Sequence, residues 1–193
     1  MAVRSTPAAV ASGGRARLDA LVAGPDGILD AELAWSLSTP GGAAIEVDED
    51  GTWLTVGDVE VGSVEVALAA TTESAELHAR KSVAIGADAD NPGPMGIEAD
   101  GQRIDADALQ VAPGAVVALR AGAAGVEEAD VSWFATVGEI ELYRRNPTEL
   151  TAPEDPSSGW LIAVVRDGSG GVTWQVVSLV VGGGAEFAPR GGS

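Results

Sequence analysis

The chain has 193 residues, a formal net charge of −18 and 46% hydrophobic residues, so it can fill a core. Its acidity argues against nucleic acid, whose phosphates need a footprint of Lys and Arg, and against docking on an anionic membrane surface. The absence of cysteine excludes disulfides, thiolate metal sites and a cysteine nucleophile.

Apolar and polar residues alternate in short segments separated by turn residues, a pattern that predicts β-strands. In the first half of the chain the predicted strands cover residues 16–23, 31–37, 43–47, 52–56, 62–70 and 75–85. Residues 65–82 are rich in helix formers, which leaves a helix there as an alternative. However, Leu77, Ala79 and Val83 share one face at period two, and this spacing favours a strand.

The second half predicts strands at residues 96–111, 116–121, 129–135, 138–143, 159–165 and 171–181. The first of these segments opens the second half, whereas its counterpart before Val10 is short. We therefore expect the first half to lack one edge strand or to borrow it. No apolar run approaches the roughly 20 residues that span a bilayer, so we expect no membrane span in this chain.

The two halves repeat each other in order and spacing. Val10 opens VASGG and lies 25 residues before Trp35, while Val111 opens VAPG and lies 22 residues before Trp133. An internal repeat with about seven short strands in each copy predicts two tandem antiparallel β-sandwiches. We place the first domain at residues 1–86 and the second at 87–183, followed by a flexible C-terminal tail at 184–193.

Several stretches of the second copy carry a family resemblance: VAPG (111–114), VSWFAT (131–136), LTAPED (150–155) and GWLIAVVRDGSGGVTWQVVSLVV (159–181). Over most of residues 91–181 this copy resembles bacterial immunoglobulin-like domains of the PKD-like type. The first copy matches more weakly, since SGG stands in place of APG. The resemblance implies an all-β fold of two tandem immunoglobulin-like sandwiches, and it implies a non-catalytic role as a spacer or adhesive module.

The glycine-rich stretch DGSGG (167–171) is the first candidate site. A phosphate-binding P-loop requires a Lys after its last Gly and a following helix, but VTWQVV follows here and is strand-like. A calcium-binding repeat requires recurring GGxGxD units, and one partial unit is present. Asp167–Gly168 is a strong turn pair, so we predict that the stretch is the corner of a β-hairpin.

His78 is the only histidine, and a Ser–His–Asp triad or a histidine zinc site would have to use it. It is predicted on the solvent face of its strand, with no second His and no Cys to complete a metal site. We therefore expect no catalytic residue, no cofactor and no metal site, and hence no enzyme.

Acidic residues cluster at Asp48–Asp50, at Glu127–Glu128 and in the stretch ADADNPGP (87–94) between the copies. The first cluster is followed by Gly51 and predicts a turn. Asp88, Asp90 and Asn91 offer oxygen ligands of the kind that calcium prefers at an inter-domain linker. The simpler interpretation is that Asp and Asn precede Pro92 because they favour turns and solvation, and the sequence leaves calcium binding open.

The tryptophans suggest both core and surface roles. Trp35 and Trp133 are predicted to fill the two cores. Trp160 and Trp174 lie on either side of the hairpin corner and are predicted to pack as a cross-strand pair. Trp53 is predicted to point outward because Leu54 takes the inward face, so it marks either a ligand or protein contact or packing against the other copy.

Together these features predict a non-catalytic structural or adhesive module of a bacterial surface or secreted protein, acting as a spacer or protein-binding scaffold. A protein partner or self-association is expected. The alternative is a carbohydrate- or calcium-dependent binding module that uses exposed Trp53 or the acidic linker. An extracellular or cell-surface location is expected, including a lipoprotein-anchored or periplasmic one, and the sequence leaves a cytoplasmic location open.

Overall fold

The computed structural model describes residues 1–24, 27–38, 42–59, 62–86, 88–104, 108–126 and 130–182. Within these ranges the chain forms eighteen β-strands and no helix. None of the described segments is therefore a helix that could cross a bilayer.

The first nine strands build one sandwich. They are β1 (Ala2–Thr6), β2 (Arg15–Leu21), β3 (Ala23–Gly24), β4 (Gly27–Ile28), β5 (Glu32–Leu37), β6 (Ala43–Asp48), β7 (Gly51–Val56), β8 (Gly62–Thr71) and β9 (Glu76–Ile85). One sheet has the strand order β1-β2-β7-β6 and the facing sheet has the order β5-β8-β9, while β3 and β4 pair as a short ribbon. The helix that the composition allowed at residues 65–82 is absent, and β8 and β9 occupy this stretch instead.

The last nine strands build the second sandwich. They are β10 (Met95–Ala99), β11 (Gln102–Arg103), β12 (Ala108–Val111), β13 (Val116–Ala123), β14 (Asp130–Ala135), β15 (Glu139–Ile140), β16 (Thr148–Thr151), β17 (Ser157–Arg166) and β18 (Val172–Val181). Its sheets have the orders β11-β10-β13-β16-β15 and β12-β18-β17-β14.

Seven main strands have the same order in both sandwiches, while β3 and β4 are additional in the first and β11 and β12 in the second. Labelled A to G along each copy, the strands form one A-B-E-D sheet and one C-F-G sheet, which is the arrangement of immunoglobulin constant-type domains. The fold is therefore all-β with two tandem immunoglobulin-like antiparallel sandwiches, as the sequence predicted. The PKD-like type stays a prediction. The predicted boundary adjoins Ala87, and this residue and the tail at 184–193 lie outside the described residues.

Each sandwich has its own core because alternate residues of every long strand turn inward. Leu54, Val66 and Val83 are at most 1% exposed in the first core, and Leu119 and Leu161 are fully buried in the second. Burying one such side chain contributes about 1.5–3 kcal/mol. The inward positions of Leu54 and Val83 are those that the period-two alternation predicted.

The opening strand of each copy changes sheets. In the first copy β1 pairs with β2, and the chain then reaches the opposite sheet, where Val10 bridges Ile85 in parallel. In the second copy β10 pairs with β13, and β12 runs parallel to β18. The expectation that the first copy lacks or borrows its edge strand is therefore wrong, because Ala2–Thr6 occupies that edge. The predicted opening strand at 96–111 is divided into β10, β11 and β12.

The predicted strand at 138–143 is also shorter than expected. Only Glu139–Ile140 forms a strand, and residues 141–147 form the connection to β16. The apolar residues Leu142 and Tyr143 are 45% and 60% exposed, since this connection leaves the sheet. Its alternation resembles that of a strand, but a hydrogen bond from the backbone N–H of Trp133 to the carbonyl oxygen of Tyr143 holds it beside strand β14 of the opposite sheet.

Candidate functional site at the contact between the sandwiches

An apolar patch joins the two sandwiches. On the first, Ala2 and Leu21 lie on the outer face of the β1-β2 sheet, and on the second, Ile162, Val164 and Val172 lie on the outer face of the β17-β18 sheet. Ala23, Trp174 and Val176 pack around these buried residues. Because Ile162 is 2% exposed and belongs to neither sandwich core, its burial depends on contact with the first sandwich.

A cation–π contact borders this patch. The guanidinium carbon of Arg4 on β1 lies 4.2 Å from the ring centroid of Trp174 on β18, and the same guanidinium pairs with Asp19 at 3.2 Å. The carboxylate holds the guanidinium over the indole ring. A partly desolvated contact of this kind contributes about 1–2 kcal/mol.

The buried amine of Lys81 meets the hairpin corner of the other sandwich. Lys81 lies on β9, is 8% exposed and donates a hydrogen bond from Nζ to the carbonyl oxygen of Gly170. Burial lowers the pKa of Lys81, whereas the neighbouring Asp167 carboxylate acts in the opposite direction. Burying an ammonium group costs free energy unless the group is hydrogen-bonded and paired, and the Gly170 carbonyl and the Asp167 carboxylate offset this cost.

The corner is organised around the Asp167 carboxylate. Its Oδ1 accepts hydrogen bonds from the backbone N–H of Ser169 at 2.8 Å and of Gly171 at 2.9 Å. Partial burial acts to raise the pKa of Asp167, but these backbone donors prevail and hold it below its ordinary value. The folded turn thus presents an ordered carbonyl and a negative charge to Lys81.

Asn91 links both sandwiches through one side chain. Its Nδ2 donates to the carbonyl oxygen of Ser5 at 2.7 Å, and its Oδ1 accepts from the backbone N–H of Val172 at 2.9 Å. Next to it, Pro92 lies so close to Gly171 that a Cβ on that glycine would come within 2.7 Å of the proline Cδ. The linker therefore packs against the hairpin corner.

The predicted hairpin corner is confirmed, since residues 167–171 connect β17 to β18. What the sequence missed is its second role as a contact to the first sandwich. The signal was Lys81, which shares the period-two face of Ala79 and Val83, where a charge is out of place. A buried cation on an apolar face requires an acceptor, and the sequence could not show that the acceptor lies 89 residues away.

The linker acids are not gathered into one cluster. Asp88 Oδ1 accepts a hydrogen bond from the backbone N–H of Ala11 at 2.9 Å, Asp90 is exposed, and the Asn91 oxygen is engaged with Val172. Over the described ranges, no group of three or more His or acidic side chains is placed to hold a metal ion. Glu127 and Glu128 lie outside the described residues.

His78 lies on the exposed face of β9. Its side chain is 69% exposed, and its Nε2 lies 3.8 Å from a carboxylate oxygen of Glu76 on the same strand. The structure does not bring a serine hydroxyl into hydrogen-bond contact with it among the described residues. This arrangement is that of a solvated surface pair.

Trp53 lies on the outer face of β7, as predicted, within a polar cluster of its own sandwich. The guanidinium carbon of Arg15 lies 4.0 Å from its ring centroid, and Nε1 of the indole donates to Asp48 at 2.9 Å. Asp48 also pairs with Arg15 at 2.7 Å, and these contacts lower its pKa. The Asp48–Asp50 cluster forms the predicted turn between β6 and β7.

The other tryptophans divide between core and contact. Trp133 is 3% exposed and donates from Nε1 to the carbonyl oxygen of Arg145 at 3.1 Å, which confirms its core role. Trp35 is half-buried against the first core. The predicted pair of Trp160 and Trp174 is wrong, because Trp160 lies opposite Ser178 and Trp174 opposite Val164.

No family model matches the chain, and no curated protein matches it in sequence. Several solved structures are similar at low identity. Extracellular domains 3–5 of Drosophila OTK share 15% identity over 93% of this chain, with a TM-score of 0.32, and the chain covers 60% of their length. Fibronectin(III)-like modules of Clostridium thermocellum CbhA share 12% over 93% of this chain and 94% of theirs, with a TM-score of 0.34.

A surface-located, SusE-like polysaccharide-binding protein of Bacteroides thetaiotaomicron shares 13% identity over 90% of this chain and 32% of its own, with a TM-score of 0.37. At such low identities and TM-scores, the class of the fold follows from the strand order in the two sandwiches. The chain is a tandem pair of immunoglobulin-like β-sandwiches whose contact is built from an apolar patch, a buried lysine and a shared asparagine.

Proposed function

We propose that this chain is a non-catalytic structural or adhesive module of a bacterial surface or secreted protein, acting as a spacer or protein-binding scaffold. The observation that carries the proposal is the contact between the sandwiches. Apolar packing at Ile162, the buried Lys81 amine and the Asn91 side chain restrain the pair through three separate segments. A spacer needs such restraint because it must hold its loops and sheet faces at a fixed distance and angle.

The alternative, a carbohydrate- or calcium-dependent binding module, has less support. The Trp53 ring, which a sugar would stack on, carries the Arg15 guanidinium on one side. In the linker, the Asn91 oxygen that calcium would need already accepts a hydrogen bond. An extracellular or cell-surface location remains part of the proposal and is tested by fractionating the source cells.

The test compares the wild-type chain with Ile162→Asp, which places a charge in the apolar patch without entering the core of either sandwich. In the wild type, residual dipolar couplings of both halves should fit one alignment tensor, whereas the variant should require two. The control is Val116→Asp, because Val116 is 56% exposed on the second sandwich. Separate tensors for the two halves of the wild type would contradict the spacer proposal.

A further inference from the structure

The tryptophan-bearing strand of the first sandwich has an open edge. Strand β5 lies at the edge of its sheet, and the hydrogen bond from Ser38 N to the Glu65 carbonyl at 2.9 Å sets the alternation of its backbone groups. In an antiparallel pair, alternate residues bond to the neighbour and the others point away. The N–H groups of Leu33, Trp35 and Leu37 therefore point away from β8, and no backbone acceptor meets them among the described residues.

The second sandwich covers part of the same edge with its own chain. There the backbone N–H of Trp133 donates to the carbonyl oxygen of Tyr143 at 2.7 Å, and its indole Nε1 donates to Arg145. The covering segment belongs to the long connection between β15 and β16. In the first sandwich, β6 and β7 meet in a tight turn at Asp48–Gly51, so that connection cannot reach β5.

Apolar side chains are exposed along this open edge. Leu33 lies opposite the fully buried Ala70, on the inward face of β5, yet is 39% exposed. Val47 shares the inward face of β6 with Ile45 and is 76% exposed. Both residues are at the end of the sandwich where β5 begins and β6 ends. We call the surface formed by Leu33, Trp35, Leu37, Ile45 and Val47 the open side.

We propose that the open side binds an extended, cationic and amphipathic peptide segment of a partner protein by β-strand addition. Backbone carbonyls of the segment would accept the N–H groups of Leu33, Trp35 and Leu37, and apolar side chains at alternate positions would cover Leu33 and Val47. This proposal rests on the proposed scaffold role and names the surface that performs it.

The composition of the partner is taken from the segment that occupies the equivalent place in the second sandwich, where the carbonyl oxygens of Tyr143 and Arg145 accept hydrogen bonds from Trp133. That segment reads Leu142-Tyr143-Arg144-Arg145, with apolar and aromatic residues followed by two arginines. A cationic segment also suits a chain whose net charge is −18, since the field of the protein attracts it during approach. A second copy of this chain carries the same charge and is repelled.

The experiment uses the full chain and a blocked synthetic peptide with the sequence of residues 140–146, IELYRRN. Addition of peptide to the isotope-labelled chain should shift amide resonances of β5 and β6 with a submillimolar dissociation constant. Leu37→Pro removes one outward N–H without breaking a hydrogen bond to β8, and edge strands tolerate proline at such a position. This variant should bind the peptide about tenfold more weakly. The matched control Leu37→Val keeps the N–H and should bind as the wild type does.

A second variant guards against misfolding of the proline variant. Leu33→Lys leaves the backbone intact but places a positive charge on the open side, and it should also weaken the peptide about tenfold. A peptide with both arginines changed to glutamate should bind more weakly than the original to the wild-type chain.

The proposal is overturned if millimolar peptide leaves β5 unshifted, or if Leu37→Pro binds as tightly as Leu37→Val. A wild-type dimer that sedimentation detects without peptide, and that Leu37→Pro abolishes, would assign the open side to a second copy instead. The alignment tensors of the same samples report separately on the contact between the sandwiches. The scaffold proposal and the open-side proposal can thus fail independently.

Discussion

The amine of Lys81 on β9 donates a hydrogen bond to the carbonyl oxygen of Gly170, 89 residues later in the chain. This hydrogen bond joins the only lysine of the sequence to a hairpin corner of the other sandwich. Separation of the two sandwiches would expose the apolar patch and would leave the Gly170 carbonyl without the Lys81 donor. The stability of the junction is therefore open to measurement by single substitutions.

Lys81→Met keeps most of the side-chain length but removes the ammonium donor. We expect the free energy of unfolding to fall by about 1–2 kcal/mol, because the Gly170 carbonyl loses a charged hydrogen-bond donor at a buried site. Urea denaturation measures this loss. The control is Arg80→Met on the same strand: the Arg80 side chain is 73% exposed, and its pair with Glu65 should contribute at most about 0.5 kcal/mol. Equal losses in both variants would contradict a special role for Lys81.

Asp167 should make the protein sensitive to acid. Its pKa in the folded protein lies below the ordinary value of 3.8, so the carboxylate contributes stability above that value and loses it as the pH falls through the folded pKa. Asp167→Asn lacks this titration. The difference in unfolding free energy between wild type and variant should be full at neutral pH and smaller at about pH 3. A difference that does not change with pH would count against this role.

Asn91 should contribute to the cooperativity of unfolding. Asn91→Ala removes the acceptor of Val172 N and the donor to the Ser5 carbonyl, and we expect a loss of about 1–3 kcal/mol. Since these bonds join two sandwiches, calorimetry should show one transition in the wild type and two in the variant. Asp90→Ala, at the exposed neighbouring position, is the matched control and should keep a single transition.

Calcium should have little effect on the protein. The Asp88 carboxylate accepts from Ala11 N, and the Asn91 oxygen accepts from Val172 N, so a calcium ion would have to displace existing hydrogen bonds. We expect millimolar calcium to leave the melting temperature unchanged. A rise of several degrees that Asp90→Ala abolishes would restore the linker site as a calcium site.

The two core tryptophans should differ in their contribution to stability. Trp133→Phe removes the hydrogen bond to Arg145 and leaves space around a side chain that is 3% exposed, so about 2–3 kcal/mol should be lost. Trp35→Phe acts at the half-buried edge of the first core and should cost about half as much. A larger loss for Trp35 would show that the edge of β5 is better packed than its exposure indicates.

Much of the fold was predictable because the information is local. Period-two alternation placed Leu54 and Val56 inward and Trp53 outward, and the Asp167–Gly168 pair predicted the hairpin corner. The error at Trp160 and Trp174 was avoidable, since a hairpin centred on Ser169 sets Trp174 opposite Val164. The error at residues 138–143 was unavoidable, because the residues there alternate as in a strand. The structure differs because the Trp133 N–H binds the Tyr143 carbonyl at the edge of β14.

The first strand and the candidate site depended on distant parts of the chain. Ala2 is buried by the second sandwich, and Val3 is buried in the first. Strand β1 therefore has apolar residues on both faces, and its sequence lacks the period-two alternation that predicts a strand. Lys81 donates to a backbone carbonyl, which every residue has. Such an acceptor therefore has no signature in the sequence.

The sequence by itself determined most of the strands, their inward faces and the hairpin corner, because each of these depends on residues within about one turn or strand of each other, and comparison of the two halves revealed the repeat. Only the tertiary structure decided which outer faces meet and which edge stays open. Those outcomes depend on shape and hydrogen-bond geometry between segments far apart in the chain, where apolar side chains meet and where backbone groups common to all residues serve as partners for Lys81 and Asn91.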